Sequence, residues 1–239
     1  MLGKTQTLGD LISTDYLFKL IIKRFEVDQD DLQKSISTIR KENNVDLNFL
    51  TEILIAFEDI NSFSSQKLAE FPIKLVVNYL RKTHHYYISK KLPELEQTIY
   101  HLKQKNNNPT VQVLLHFFND YKRSLLEHIE VEENELFPYV LFLDYASSEK
   151  TDKVEAYYKE FGNISIETFM MEHDHEHETR LKEIINYLAA REKNLNDQLS
   201  FKVLLTQFQA LNKDLRVHEK LEEDVLLPKA QLLEKLLQA

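Results

Sequence analysis

Two stretches of this chain carry the same chemistry-bearing residues. From His128 to Pro138 it reads HIEVEENELFP, and from His218 to Pro228 it reads HEKLEEDVLLP. Both fit H-x-x-x-E-E-[N/D]-x-L-[F/L]-P, and they begin 90 residues apart. A His and a Glu four residues apart on a helix lie one above the other on a single face. The residues upstream say which face. Leu114, Phe118, Tyr121 and Leu125 lead into His128 and Glu132, while Leu204, Phe208, Leu211 and Leu215 lead into His218 and Glu222. This is the alternating four-and-three spacing of a bundle seam, so each His and first Glu should point inward. A carboxylate in a core is costly unless it is paired, and neither seam offers a Lys or Arg. A metal ion resolves that cost. The plainer alternative, a frayed helix end with each pair in solvent, would require the same accident twice.

Two further helices should then supply ligands at the same height. The stretch EHDHEHET contains His173, and THHYY contains His85. The steps His85 to His128, His128 to His173 and His173 to His218 are 43, 45 and 45 residues, the near-equal spacing of a layer midway up antiparallel helices. Between His84 and His85 the pattern leaves both open: Ile73, Val77 and Leu80 lead into His84, whereas His85 leads out to Ile88, Leu92 and Leu95. Such a layer holds four imidazoles and two carboxylates. Two metals can use it, each taking two His while both Glu bridge, with an oxo or hydroxo bridge completing the pair. Imidazole and carboxylate suit iron, manganese or zinc. The ferritin type of di-iron bundle, which uses Glu-x-x-His, fits less well. Without metal, Glu132 and Glu222 are expected to have raised pKa values.

Other residues receive plainer readings. His177, one turn past His173 on the same seam, reads as a polar residue near the rim, the less favoured alternative being an extra ligand or a donor to a ligand, and His101, His116 and His175 as ordinary surface or packing residues. Glu133 and Glu223 stand about 100° off the seam, in solvent or facing a neighbouring helix. Tyr121 reads as core, and Pro138 and Pro228 as shaping helix ends. The H-E-x-x-H zinc-protease pattern is rejected, because Asp174 stands where its Glu is needed.

The elements that position these residues should be helices. Among 239 residues there are only 3 Gly and 5 Pro, too few for the turns of a sheet protein. The fold class expected is all-α. Four long periodic segments, 72–103, 109–143, 151–191 and 196–236, are separated by the short polar breaks QKNNNP, DYASSEKTD and AREKNLND. Short breaks make consecutive helices antiparallel neighbours, hence an up-down-up-down four-helix bundle over 72–239. Gly162 and Asn163 split the third segment. Residues 1–60 read as a small helical domain whose last helix is capped by Asp46, and 61–71, NSFSSQKLAEF, as a linker. The absence of cysteine excludes disulfides, thiolate nucleophiles and cysteine-ligated zinc or iron–sulfur sites. A net charge of -9 argues against nucleic acid as a partner. No apolar run is long enough for a membrane span, and MLGKTQTLGD lacks a secretory apolar core, so a cytoplasmic protein is expected.

HHYYISKKLPELE, HIEVEENELFP, MEHDHEHE and HEKLEEDVLLPKA resemble the four ligand-bearing helices of the hemerythrin-like family, in its branch for repair of iron centres. The resemblance covers residues 72–236. It implies His85, His128, Glu132, His173, His218 and Glu222 as ligands of two iron ions. It also implies a role in iron–sulfur cluster repair under oxidative or nitrosative stress, in a protein that binds iron rather than one that turns over substrate. Small diatomic molecules or peroxide would be its ligands and iron–sulfur proteins its clients, with a homodimer as a candidate assembly. Hemerythrins proper carry a richer His set, so oxygen carriage is the poorer reading. LGDLI, IIKRFEVD and KENNVDLNFL resemble that branch's short N-terminal domain. Where the branch usually has a cysteine-containing, Gly-rich segment, this chain reads QDDLQK. The N-terminal helices are therefore expected to contribute neither ligand nor redox chemistry. The alternatives are a di-iron module that binds O2 or NO and signals to a protein partner, or a metal-free interaction protein.

Overall fold

A computed structural model of the chain describes residues 6–14, 16–25, 27, 29–41, 45–105, 109–149, 165–172, 176–191 and 198–238. Among these residues the structure is helical, and the sole extended pairing is a lone antiparallel bridge between Thr7 and Ser35. None of the described helices is long and apolar enough to cross a membrane. The all-α expectation is met. The helices gather into two compact units, each assembled from separate stretches of chain.

The first unit comprises Met1–Thr83, Val140–Ile166 and Arg216–Ala239. It begins with α1 (Leu8–Thr14), α2 (Tyr16–Ile22) and a single 3-10 turn, Lys23–Phe25. Thr7 and Asp10 cap α1 reciprocally: the Thr7 N–H donates to Asp10 Oδ2 at 2.9 Å and the Asp10 N–H to Thr7 Oγ1 at 3.1 Å. Then come α3 (Gln29–Leu32), α4 (Ile36–Lys41) and α5 (Val45–Glu58). Asp46, expected as a cap, lies inside the first turn of α5, where its charge still suits the helix dipole. The stretch read as a linker folds in part into α6 (Ser65–Ala69), because Ser64 caps it and Leu68 is fully buried. Lys229 Nζ closes the other end of α6, donating to the carbonyls of Ala69 at 2.7 Å and Phe71 at 2.6 Å. Phe49 of α5 packs edge-on against both Phe71 and Tyr79, the latter on α7 (Ile73–Tyr86).

The second unit comprises His84–Tyr139 and Glu167–Leu215. Its core is shared by four helices: α8 (Leu92–Lys105), α9 (Pro109–Val131), α12 (Glu176–Ala189) and α13 (Gln198–Leu221). Two others, α10 (Phe137–Glu149) and α11 (Ile166–Glu172), precede α12 in the chain, and α14 (Leu227–Gln238) comes after α13. The inward residues are those the seam spacing predicts. Leu114, Phe118, Tyr121 and Leu125 on α9 and Leu204, Phe208, Leu211 and Leu215 on α13 are all buried. Phe118 and Phe208 meet edge to face at 6.2 Å.

Three of these helices continue through a single π turn rather than ending. The turns are Tyr87–Lys91 after α7, Glu132–Leu136 after α9, and Glu222–Leu226 after α13. Each adds one residue to the local repeat and rotates the downstream helix face relative to the upstream one. Two of them begin at the glutamate of a repeated motif, and the third begins three residues after His84.

Candidate metal centre

The seam of α9 ends on His128 and Glu132, as its spacing predicts. Both Glu132 oxygens are buried, and its side chain is only 2 % exposed. One oxygen, Oε1, stands 3.0 Å from His128 Nε2, and the other, Oε2, stands 2.9 Å from His84 Nε2. A single carboxylate therefore faces two imidazoles, one with each oxygen. Neither oxygen receives a hydrogen bond, although both lie at ion-pair distance from a ring nitrogen. Two donor atoms each about 2.1 Å from one ion, at right angles, stand roughly 3 Å apart. The spacing suits donors that share one ion as well as it suits a direct imidazole–carboxylate contact.

His84 is held from its other side as well. Its Nδ1 lies 2.8 Å from Glu133 Oε1. An ionised carboxylate can only accept, so Nδ1 carries the proton and donates it, which leaves Nε2 directed at Glu132. This is the carboxylate–histidine arrangement that orients metal ligands. Phe137 stacks on the His84 ring at 5.5 Å and 14°. Burial on its own would lower the His84 pKa, but contact with Glu132 and Glu133 outweighs it and raises the pKa above its ordinary value. For Glu132, burial pushes upward, yet His128 and then His84 hold the carboxyl well below the usual carboxylate range. The expectation of a raised Glu132 pKa is thus overturned, because the imidazoles supply the cations that the seam lacks.

His85, expected as the ligand of this helix, is exposed, whereas His84 is 2 % exposed and touches Glu132. The reason is the π turn at Tyr87–Lys91. Counting back from Ile88, Leu92 and Leu95 with ordinary helical spacing lands on His85, one residue out, because the turn inserts a residue. The upstream seam Ile73, Val77, Leu80, His84 runs correctly.

Of the two readings of His177, the rim one fails: it is 1 % exposed, and its ring centroid lies 4.4 Å from that of His128. Its position four residues after His173, on the same helical face, was the available signal. His173 itself, with Asp174 and His175, lies outside the described residues. Of the two readings of Glu133, in solvent or facing a neighbouring helix, the second holds: it meets His84 of α7. His116 is exposed beside Asp120, and His101 is exposed, as expected.

In the first unit, His218 and Glu222 repeat the pair of α9. Their side chains are 3 % and 1 % exposed, and His218 Nε2 lies 3.9 Å from Glu222 Oε2. The seam on which they stand is that of α13, whose buried Leu211 and Leu215 precede them on the same helix.

The donor set of imidazoles and carboxylates, with the unsatisfied oxygens of Glu132 at its centre, fits a metal cation. Comparison with known proteins agrees. The hemerythrin HHE cation-binding domain matches residues 76–230. The chain is also similar to the iron-sulfur cluster repair protein ScdA of two strains of Staphylococcus epidermidis, at 20 % identity over 201 residues, 82 % of this chain and 84 % of each relative. The family match takes in both HxxxE motifs, His84 and His177, and more than half of the chain, which therefore belongs to the hemerythrin HHE cation-binding family.

Proposed function

We propose that the chain is a non-haem di-iron protein that serves the repair of iron centres under oxidative or nitrosative stress. The observation that carries the di-iron reading is Glu132. A carboxylate that turns one oxygen to His84 and the other to His128, with neither oxygen hydrogen-bonded, is disposed to bridge two ions. In this reading His84, His128 and His177, grouped about Glu132 in the second unit, would hold metal. Glu132 would be shared between the ions, and His173, His218 and Glu222 are proposed as further ligands on their sequence motifs. An iron pair would supply redox chemistry toward O2, peroxide or NO, or a stock of releasable iron. The residues of this chain orient the ligands, keep the proton on His84 Nδ1 and exclude bulk water from Glu132.

The repair role is supported by the name and the length of match of the staphylococcal relatives, and its clients would be cytoplasmic proteins with damaged iron–sulfur clusters. Its test is reactivation. Iron-loaded protein is added to a dehydratase whose [4Fe–4S] cluster has been broken by peroxide, with free ferrous iron at equal concentration as control. The reading expects faster recovery with the wild-type protein than with free iron, and none of that gain with Glu132→Ala. Equal recovery in all three would contradict it.

A further inference from the structure

None of the proposed ligands comes from the N-terminal helices, yet one of their side chains reaches Thr83, the residue before His84. Arg24 is 6 % exposed. A buried guanidinium is costly unless its donors are used. Its Nη1 donates to Thr83 Oγ1 at 3.2 Å and lies 3.4 Å from the Tyr79 hydroxyl, with the Tyr79 ring 5.9 Å beneath the charge. Thr83 is fully buried, and its own hydroxyl hydrogen goes to the Tyr79 carbonyl at 2.9 Å. That fixes the direction of the hydroxyl: it donates along its own helix and accepts from Arg24. Phe25, next to Arg24 in the chain, packs on the same Tyr79 ring at 5.4 Å.

Thr83 directly precedes His84. The histidine is thereby constrained twice, its ring by Glu133 and its backbone by the Arg24–Thr83 bond. A ligand must be held within about 0.5 Å of its working position, and the groups that support it set that tolerance. We infer that Arg24 is a positioning residue for the metal centre, through which the cysteine-free N-terminal helices control how tightly His84 holds iron. The inference rests on the reading of Glu132 and His84 as metal ligands.

The test uses full-length protein titrated with ferrous iron against a chelator, and the absorption spectrum of the oxidised, loaded form. Arg24→Met and Thr83→Val should each weaken iron retention by about tenfold, the lower end of what outer partners of metal ligands contribute, and shift the visible bands. Arg24→Lys, which keeps the charge but has a single donor head, should recover part of the loss. Lys74→Met, which removes an exposed charge from the same helix, should behave as wild type. Should Arg24→Met fail to fold, Thr83→Val decides, since it leaves Arg24 in place and removes the hydroxyl that accepts from it, together with that hydroxyl's bond to the Tyr79 carbonyl. Variants that hold iron as tightly as wild type, with the same spectrum, would overturn the role of Arg24 and leave the metal centre standing. Wild-type protein that takes up no iron would instead overturn the reading beneath it.

Discussion

Glu132 and the imidazoles around it set the chemistry at the scale of single residues. Because His84 and not His85 touches Glu132, His84→Ala should lose iron and His85→Ala should retain it, as measured by iron per chain after identical loading. Glu133 acts through His84, so Glu133→Gln should leave the fold intact and weaken iron binding by about 10- to 100-fold. The same residues give the metal-free protein a definite pH dependence. The folded-state pKa of His84 is raised above 6.5, so its contribution is fully present below that value and is lost as pH rises through the folded pKa. Glu132 is lowered well below 4.5, so its contribution is present above that value and is lost as pH falls through the folded pKa. Metal-free protein should therefore melt highest between these two values and lower on either side. Iron loading should strengthen as pH rises through the His84 pKa, because the metal must displace its proton. A melting temperature that climbs steadily from pH 6 to 9 without metal would contradict the His84 assignment.

At the scale of elements, the seam and the π turns divide what the sequence makes legible from what it hides. The seams of α9 and α13 were readable to their last residue because regular helical spacing holds up to Glu132 and Glu222. The π turns begin at once, and nothing in residue type announces them. That is why a register carried backward across Tyr87–Lys91 chose His85, while one carried forward from Ile73 reached His84. The inward position of His177 was legible from the His173 seam, but its contact with His128 joins two helices, and periodicity along one helix does not report it. The helix α6 was obscured by Ser-rich composition, which serves caps as readily as loops. A π turn is one inserted residue, so deleting exposed Asn134 should restore regular helix on both sides of the motif. Helical content by circular dichroism should remain, while the relation between Glu132 and the next turn, and with it iron content, is lost. Full iron in that deletion variant would show that the π geometry is dispensable.

At the scale of the whole molecule, the N-terminal helices and the first part of α7 belong to one compact unit, with Phe25 and Phe49 on Tyr79 and Arg24 on Thr83. A chain beginning near Phe71 would bare that aromatic cluster. It should melt well below the full chain and tend to associate, and Phe49→Ala alone should cost about 3–5 kcal/mol by denaturant unfolding. Truncation without loss of stability would show that these helices contribute little to the unit. The functional reading presupposes that Glu132 bridges two metals. The most direct test is metal analysis of freshly purified protein from iron-replete cells, read together with its absorption spectrum. The account predicts two irons per chain, with the near-ultraviolet and visible bands of a bridged ferric pair, falling toward zero in Glu132→Ala. One zinc per chain, or no metal at all, would contradict it.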